Sequence, residues 1–310
     1  NHDFDWSTAE TRTACFRTWQ TDGDFTFLNA NVYYTEGPDA GKRVFTPYGT
    51  KVVDGVKIGF FGVINEGSIS SISTLNTQGI EFRDATQAGI EMVQTLRTTE
   101  KCDVVIALAH IYGTQNPPYT AAAPITDNLA DFITGVNSAC AKAKIGGLNG
   151  VFGSQTTSPM CGMVGSTAVV KAQNYGRVID QIKIEIAADG SVTAVPSLHP
   201  LTQIVADKQN LLGSDEKTRA GTPEDKTFKA TYDTYNAALT VLMDARRGTA
   251  DAAFSYEGAA NQFAYQKWYL RQNYEYLNNV YGEPVVAYFQ NTGGIRNLGS
   301  TVIKVGDPIA

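Results

Sequence analysis

The segment Asn1 to Asp5 combines side chains that could bind a metal ion and handle a phosphoryl group. The Asn1 amide offers a neutral oxygen ligand for a divalent cation. The His2 imidazole could carry a proton or stabilise negative charge on a phosphoryl oxygen, and the Asp5 carboxylate could orient that imidazole. The alternative interpretation of these residues is an ordinary polar loop.

His110 stands directly after a stretch that predicts a buried strand. Asp103–Ala109 is almost continuously apolar, which is typical of a strand covered on both faces. Open α/β sheets bind ligands at the carboxyl ends of their strands, so His110 is a candidate ligand at such an end. The alternative is a hydrogen-bonded histidine that only terminates the strand.

The elements that would position these residues alternate between strands and helices along the chain. Asp84–Thr98 predicts a helix with Asp84 as its N-cap, and Asp127–Lys142 predicts a second, amphipathic helix. Strands are predicted at Thr26–Tyr33, Lys57–Val63, Asp103–Ala109, Ala168–Lys171 and Gln181–Ile186, with a turn at Asp189-Gly190. This order predicts a layered α/β fold.

Composition excludes several classes of protein. The chain has 310 residues, of which 43% are hydrophobic and 18% charged, and this is a globular rather than a disordered composition. The chain has a net charge of −6, so it lacks the excess of basic residues that is typical of a nucleic-acid binder. No apolar run reaches the roughly 20 residues of a membrane-spanning helix.

The second half of the chain changes character. Residues 208–226 are polar, contain Gly and Pro, and are typical of a linker or an exposed loop. Helices are predicted at Phe228–Arg247 and Tyr256–Val280, and a strand at Pro284–Gln290. The second helix is dense in Tyr and Trp, so residues 256–281 could form a self-association surface or pack as an aromatic stripe on a core.

Six motifs occur in the same order as in a known family. They are Asn1-His2-Asp3-Phe4-Asp5, Leu28-Asn29-Ala30-Asn31-Val32, Gly55–Gly62, Asp103–His110, Gln173–Arg177 and Asn291–Arg296. Together they resemble the 5′-nucleotidase branch of the calcineurin-like metallophosphoesterases.

The resemblance implies a layered αββα-type metallophosphoesterase sandwich over residues 1–205, a linker over 206–226, and part of a second α/β nucleotidase domain over 227–310. It implies two divalent metal ions (Zn, Mn, Mg or Co) with Asn1 and His110 as ligands, and a catalytic pair of His2 and Asp5. Asn291 and Arg296 would contact the substrate, a nucleotide or another phosphomonoester. It also implies an extracytoplasmic location.

The sequence departs from the family pattern in ways that leave a second function open. The family carries a Gly-His-x-His or Gly-His-x-Gln segment where this chain has Gly153-Ser154-Gln155-Thr156, so only Gln155 could act as a ligand there. The family's first metal-binding motifs and its base-stacking aromatic residues are also missing, which predicts truncation at both ends. The alternatives are a degenerate member with a structural, adhesive or assembly role, and nucleotide binding without hydrolysis.

The four cysteines, Cys15, Cys102, Cys140 and Cys161, do not decide the redox compartment. No pair has the C-x-x-C spacing of a zinc site. Two disulfides or four free thiols are equally compatible with the sequence.

Overall fold

The computed structural model describes residues 2–4, 9–23, 25–201, 225–244, 248–249, 259–281 and 308–309. The chain divides into two compact units, Asn1–Thr222 and Pro223–Ala310. The predicted boundaries at residues 205 and 227 stay a prediction, because the predicted linker lies mostly outside the described residues.

A six-stranded mixed sheet forms the centre of the first unit. The strands are β2 (Tyr48–Val53), β3 (Val56–Ile64), β5 (Val104–His110), β8 (Gly150–Gly153), β9 (Met160–Val164) and β10 (Thr167–Lys171). Their order in the sheet is β2-β3-β5-β8-β10-β9. Strands β3, β5, β8 and β10 are parallel, and the two edge strands are antiparallel to their neighbours. The layered α/β prediction is confirmed.

Two helices cover one face of this sheet. Helix α3 (Ala85–Gln94) begins at the predicted N-cap, where the Asp84 side chain accepts a hydrogen bond from the Gln87 N–H at 2.7 Å, and it continues into a π-helical turn over Thr95–Thr99. Helix α4 (Asp127–Lys142) has its predicted bounds. Both helices pack their apolar residues against alternate side chains of β5, β8 and β10 in the main hydrophobic core.

Smaller elements pack around the sheet. Strands β1 (Val32–Tyr34) and β4 (Ile80–Phe82) pair antiparallel, as do β6 (Thr114–Gln115) and β7 (Ile125–Thr126). The antiparallel hairpin of β11 (Val178–Ile186) and β12 (Val192–Pro200) packs against β10 and β9. Helix α1 (Ala9–Asp22) and the short helix α2 (Thr74–Thr77) lie in the same unit.

Two parts of this unit differ from the sequence predictions. The strand predicted over Thr26–Tyr33 is reduced to Val32–Tyr34, because the Asn29 side chain accepts hydrogen bonds from the backbone of Asn31 and Val32, both at 2.9 Å, and turns the chain. Helix α1 is not among the predicted elements. Its threonines and its weak apolar periodicity give little helical signal, although Phe16 is 2% exposed.

In the second unit, the structure describes two long helices and one short strand pair. Helix α5 (Lys226–Met243) starts at an Asp225 cap, and helix α6 (Ala259–Tyr281) covers most of the predicted aromatic segment. The short strands β13 (Gly248–Thr249) and β14 (Pro308–Ile309) pair antiparallel. The predicted strand Pro284–Gln290 lies outside the described residues.

Candidate active-site cavity

The carboxyl ends of β5 and β8 carry four side chains on the same face of the sheet. Successive side chains of a strand point to opposite faces of the sheet. Ala107 and Val151 face the helices, so Leu108 and Phe152 face the other side. His110 and Ser154, each two residues further along the chain, lie on that same side. The parallel register pairs Leu108 with Phe152, which brings His110 next to Ser154.

These side chains line a cavity of about 350 Å³. Rings and aliphatic side chains make up most of its wall, together with a few polar groups. The lining residues are Asp3, Phe4, Phe16, Trp19, Phe27, Leu28, Asn29, Phe45, Val63, Ile64, Leu108, Ala109, His110, Phe152 and Ser154. The cavity therefore lies at the edge of the sheet where α/β folds present ligands.

The amino-terminal segment and His110 meet at this cavity. Asp3 and Phe4 belong to a 3₁₀ turn over His2–Phe4, and both line the cavity together with His110. Phe4 anchors the turn, since its ring is 6% exposed and lies 5.1 Å, centroid to centroid, from the rings of Phe16 and Phe82.

His110 is held from two sides. Its Nδ1 lies 2.5 Å from the Ser154 hydroxyl oxygen, and its backbone carbonyl accepts a hydrogen bond from the Asn65 N–H at 3.0 Å. The half-buried imidazole is therefore fixed at the end of β5 with one ring nitrogen directed at Ser154.

Gln155, the predicted ligand in the altered motif, is placed differently. Its side chain is exposed, its backbone has φ 76°, and its amide Nε2 donates to the Ser68 hydroxyl at 3.3 Å. Ser154, which the sequence analysis did not assign, occupies the cavity wall next to His110 instead. The strand register of β5 against β8 is the signal that identifies Ser154, and it is not visible in the sequence.

The other predicted site residues lie where the structure gives no side-chain position. Asn1, Asp5, Asn291 and Arg296 are outside the described residues, and only the backbone of His2 is described. Their assigned roles stay predictions.

The described residues do not fit a centre for two divalent metal ions. Nowhere in the described ranges do three or more His, Cys, Asp or Glu side chains come together as a possible metal site. Of the polar groups in the cavity wall, the Asn29 Oδ1 already accepts two backbone N–H groups and the His110 Nδ1 contacts Ser154. As possible metal ligands, the described wall thus supplies a single imidazole and the Asp3 carboxylate, which are too few to hold two metal ions.

Proteins named 5′-nucleotidases occur among both the sequence relatives and the structural neighbours of this chain. A 5′-nucleotidase of Vibrio cholerae is 29% identical over 148 residues, which cover 48% of this chain and 24% of that protein. The crystal structure of a 5′-nucleotidase precursor from Thermus thermophilus superposes with a TM-score of 0.53 at 16% identity, covering 99% of this chain and 54% of that one. The chain is related to the 5′-nucleotidases over part of their length.

This nucleotidase-related chain spans about a quarter of the length of the curated relatives that it matches. A cell wall protein of Listeria monocytogenes is also 23% identical over 165 residues, covering 53% of this chain and 20% of that protein. No family model matches the chain. The central mixed sheet and the Thermus neighbour together identify the fold as that of the 5′-nucleotidases.

Two further predictions about the nucleotidase-related chain concern its surface. None of the described helices is long and apolar enough to cross a membrane. In α6, the exposed residues include Tyr274, Tyr276 and Val280, at 38%, 64% and 55%. Self-association through residues 256–281 stays a prediction.

Proposed function

We propose that the chain is a phosphoesterase of the 5′-nucleotidase type that hydrolyses phosphate monoesters of nucleotides. One observation carries the proposal: Asp3 and Phe4 of the amino-terminal segment line the same cavity as His110. The amino-terminal segment and His110 are more than a hundred positions apart in the sequence, and each belongs to a motif that resembles the family. The relationship to proteins named 5′-nucleotidases supports the same reaction class.

Within this proposal, the chain's own residues have separate roles. His2 stabilises charge on a phosphoryl oxygen and Asp5 orients the His2 imidazole. Asn291 and Arg296 bind the nucleotide, with the guanidinium suited to a phosphate.

The proposed cofactors are two divalent metal ions with Asn1 and His110 as ligands. Gln155, the third ligand that the sequence predicts, would have to leave its hydrogen bond to Ser68 in order to reach them. Bound metal ions of this kind would supply a water of lowered pKa and neutralise phosphoryl charge. We propose an extracytoplasmic location, which the relative named as a cell wall protein supports.

A second candidate function is a non-catalytic member with a structural, adhesive or assembly role. It is favoured by the region that replaces the family's histidine motif. There, Ser154 contacts His110, and Gln155 bonds to Ser68 rather than lining the cavity. In this role the protein keeps the nucleotidase fold but hydrolyses no substrate.

Phosphate release distinguishes the two functions. The full chain is assayed with AMP and with p-nitrophenyl phosphate in the presence of Mn²⁺, Mg²⁺, Zn²⁺ or Co²⁺. The phosphoesterase hypothesis expects turnover that His2→Ala lowers by about 10²-fold to 10⁴-fold, the range for a lost acid–base group.

His199→Ala is the matched control, since His199 lies on β12 and bonds to Ser197 and Gln181 at 3.0 and 3.1 Å. Full turnover in His2→Ala contradicts the role of His2. A folded protein that releases no phosphate with any of the four metals contradicts the proposal and favours the non-catalytic function; AMP binding by that protein would identify nucleotide binding without hydrolysis.

A further inference from the structure

Four half-buried aromatic rings line the cavity at the carboxyl ends of β5 and β8. This aromatic wall consists of Trp19, Phe27, Phe45 and Phe152. The rings of Trp19 and Phe27 are stacked, with their centroids 5.5 Å apart and their planes 18° apart, and the Phe27 ring lies 6.4 Å from that of Phe45 at 32°. Because part of each ring stays uncovered by protein, the wall offers aromatic surface on which a ligand can stack.

Two buried rings hold the aromatic wall in place. Phe16 is 2% exposed, and its ring centroid lies 5.6 Å from that of Trp19 and 4.9 Å from that of Phe45. Phe4 in turn packs edge-on against Phe16 at 5.1 Å. Side chains that are ordered before binding lose little conformational entropy when a ligand stacks on them, so the wall is preorganised for binding.

Asn29 adds a hydrogen-bond donor to the same cavity. Its Oδ1 accepts the backbone N–H groups of Asn31 and Val32, both at 2.9 Å, and this fixes which end of the amide is the oxygen. The Nδ2 at the other end has no hydrogen-bond partner within the described part of the chain, and it is not sealed from solvent. A ligand in the cavity therefore meets one oriented amide donor that the protein leaves unused.

The wall and the donor together define the chemical class of the ligand. A purely apolar molecule would displace water from the Asn29 Nδ2 without offering it an acceptor, and this weakens binding. A saturated sugar would bring acceptors but no flat face for the aromatic wall. A planar heteroaromatic ring meets both requirements, because its face stacks on aromatic side chains while a ring nitrogen or a carbonyl oxygen accepts the amide N–H. Nucleobases are molecules of this kind.

We propose that this cavity is a nucleobase-binding site of the first unit, in which the base stacks on the aromatic wall and accepts a hydrogen bond from the Asn29 Nδ2. Its volume of about 350 Å³ lies within the range of small-molecule pockets. His110 lines the same cavity, so a base held here lies beside the site proposed for phosphate hydrolysis. The inference rests on the proposed function, which makes a nucleotide the substrate, but binding of the base itself needs neither a phosphate nor a metal ion.

Binding of adenosine to the full chain tests the site without a phosphate. Titration calorimetry is carried out in EDTA, with ribose and with indole, a planar ring that has no acceptor, as the comparison ligands. We expect adenosine to bind with a Kd below about 1 mM, and both comparison ligands to bind more weakly by about 10-fold or more.

Two substitutions separate stacking from hydrogen bonding. Phe27→Leu keeps an apolar side chain but removes the ring, and it should weaken adenosine binding by about 5-fold or more. Asn29→Asp keeps an oxygen acceptor for the backbone N–H groups of Asn31 and Val32 but removes the amide donor. It should also weaken adenosine binding by about 5-fold or more.

Phe25→Leu and Asn116→Asp are the matched controls and should bind adenosine as the wild type does. The Phe25 ring lies 5.1 Å from that of Phe27, but it is 65% exposed and is not among the residues of the cavity wall. Asn116 is exposed in the same unit and also lies outside that wall.

Three results would overturn the proposal: no binding of adenosine, binding of indole as tight as that of adenosine, or unchanged affinity in a folded Phe27→Leu or Asn29→Asp variant. If neither variant folds, photolabelling of the wild type with azidoadenosine decides. Label on the segments that form the cavity wall supports the site, and label confined to other segments overturns it.

The base-binding site and the phosphoesterase fail separately. Adenosine binding without phosphate release from AMP, with any of the four metals, removes the phosphoesterase and leaves the base-binding site. Equal kcat/KM for AMP and for ribose 5-phosphate, in a chain that does not bind adenosine, does the reverse.

Discussion

The side-chain amide of Asn31 hydrogen-bonds both backbone polar groups of Ile64. Its Nδ2 donates to the Ile64 carbonyl at 2.7 Å, and its Oδ1 accepts from the Ile64 N–H at 3.0 Å. The same Nδ2 donates to the Arg83 carbonyl, also at 2.7 Å. Asn31 is fully buried, so the Asn-Val motif serves here to join the end of β3 to the chain before α3.

Asn31→Ala should destabilise the first unit strongly. It leaves the buried N–H and carbonyl of Ile64 and the partly buried carbonyl of Arg83 without their partner, and each buried group of this kind costs about 1–3 kcal/mol. We expect the free energy of unfolding in urea to fall by roughly 3 kcal/mol or more. Asn116→Ala, at an exposed asparagine in the same unit, is the control and should change it by less than about 0.5 kcal/mol.

Gly62→Ala should disrupt the same region through a backbone clash. A Cβ at position 62 would lie 1.9 Å from the Leu28 carbonyl oxygen, and this oxygen belongs to the main chain and cannot rotate away. The expected loss in the free energy of unfolding is about 3 kcal/mol or more, at or above the upper end of the usual range for overpacked sites, because the clash is with backbone.

Gly49→Ala is the matched control, on β2 in the same sheet. Its Cβ would meet only the Leu28 side chain, at 3.8 Å, which is ordinary contact. Similar stability for the two alanine variants in thermal or urea unfolding would contradict the close approach at Gly62.

Several strands and helices of the first unit were predictable because their sequence signals are local. The apolar run of β5, the Asp84 cap of α3 and the periodicity of α4 each lie within one short segment. The cavity was not, since Trp19 and Phe45 in its wall come from segments that gave no clear pattern. The Ser154 contact depends on the register between two strands that are 39 residues apart at their nearest ends, from His110 to Gly150, and no local pattern encodes that register.

All four cysteines are free thiols, which decides between the two possibilities that the sequence leaves open. Cys102, Cys140 and Cys161 are buried, and burial raises the pKa of each thiol, that of Cys161 to about 11. Cys15 is half-buried. Because the thiolate is the reactive form, we expect Ellman's reagent near neutral pH to modify only Cys15 quickly in the native protein.

Unfolding in guanidinium should release the remaining thiols. Cys15→Ser should remove the fast phase and leave the slow one. Rapid modification of several thiols in the folded Cys15→Ser variant, or fewer than four thiols after unfolding without reductant, would contradict this assignment.

Because of Lys171, the free energy of unfolding of the first unit should change with pH in the alkaline range. Its side chain is 3% exposed on β10, and burial lowers the pKa of its ammonium from the usual 10.5 to about 8, while Asp180 opposes the change. Between these two pH values the unfolded chain holds a proton that the folded chain has released. The unfolding free energy therefore increases as pH rises through this window, and the penalty is fully present below about pH 8.

The difference between 10.5 and about 8 corresponds to roughly 3 kcal/mol. Lys171→Met removes the buried charge at the cost of the hydrogen bond to Thr156, so near pH 7 it should be as stable as the wild type or more stable. Its advantage in urea unfolding should shrink as the pH approaches 10, because only the wild type gains stability there. Lys51→Met, at an exposed lysine of β2, should show no such change. A constant difference between the wild type and Lys171→Met across this range would mean that Lys171 keeps its proton in the folded protein.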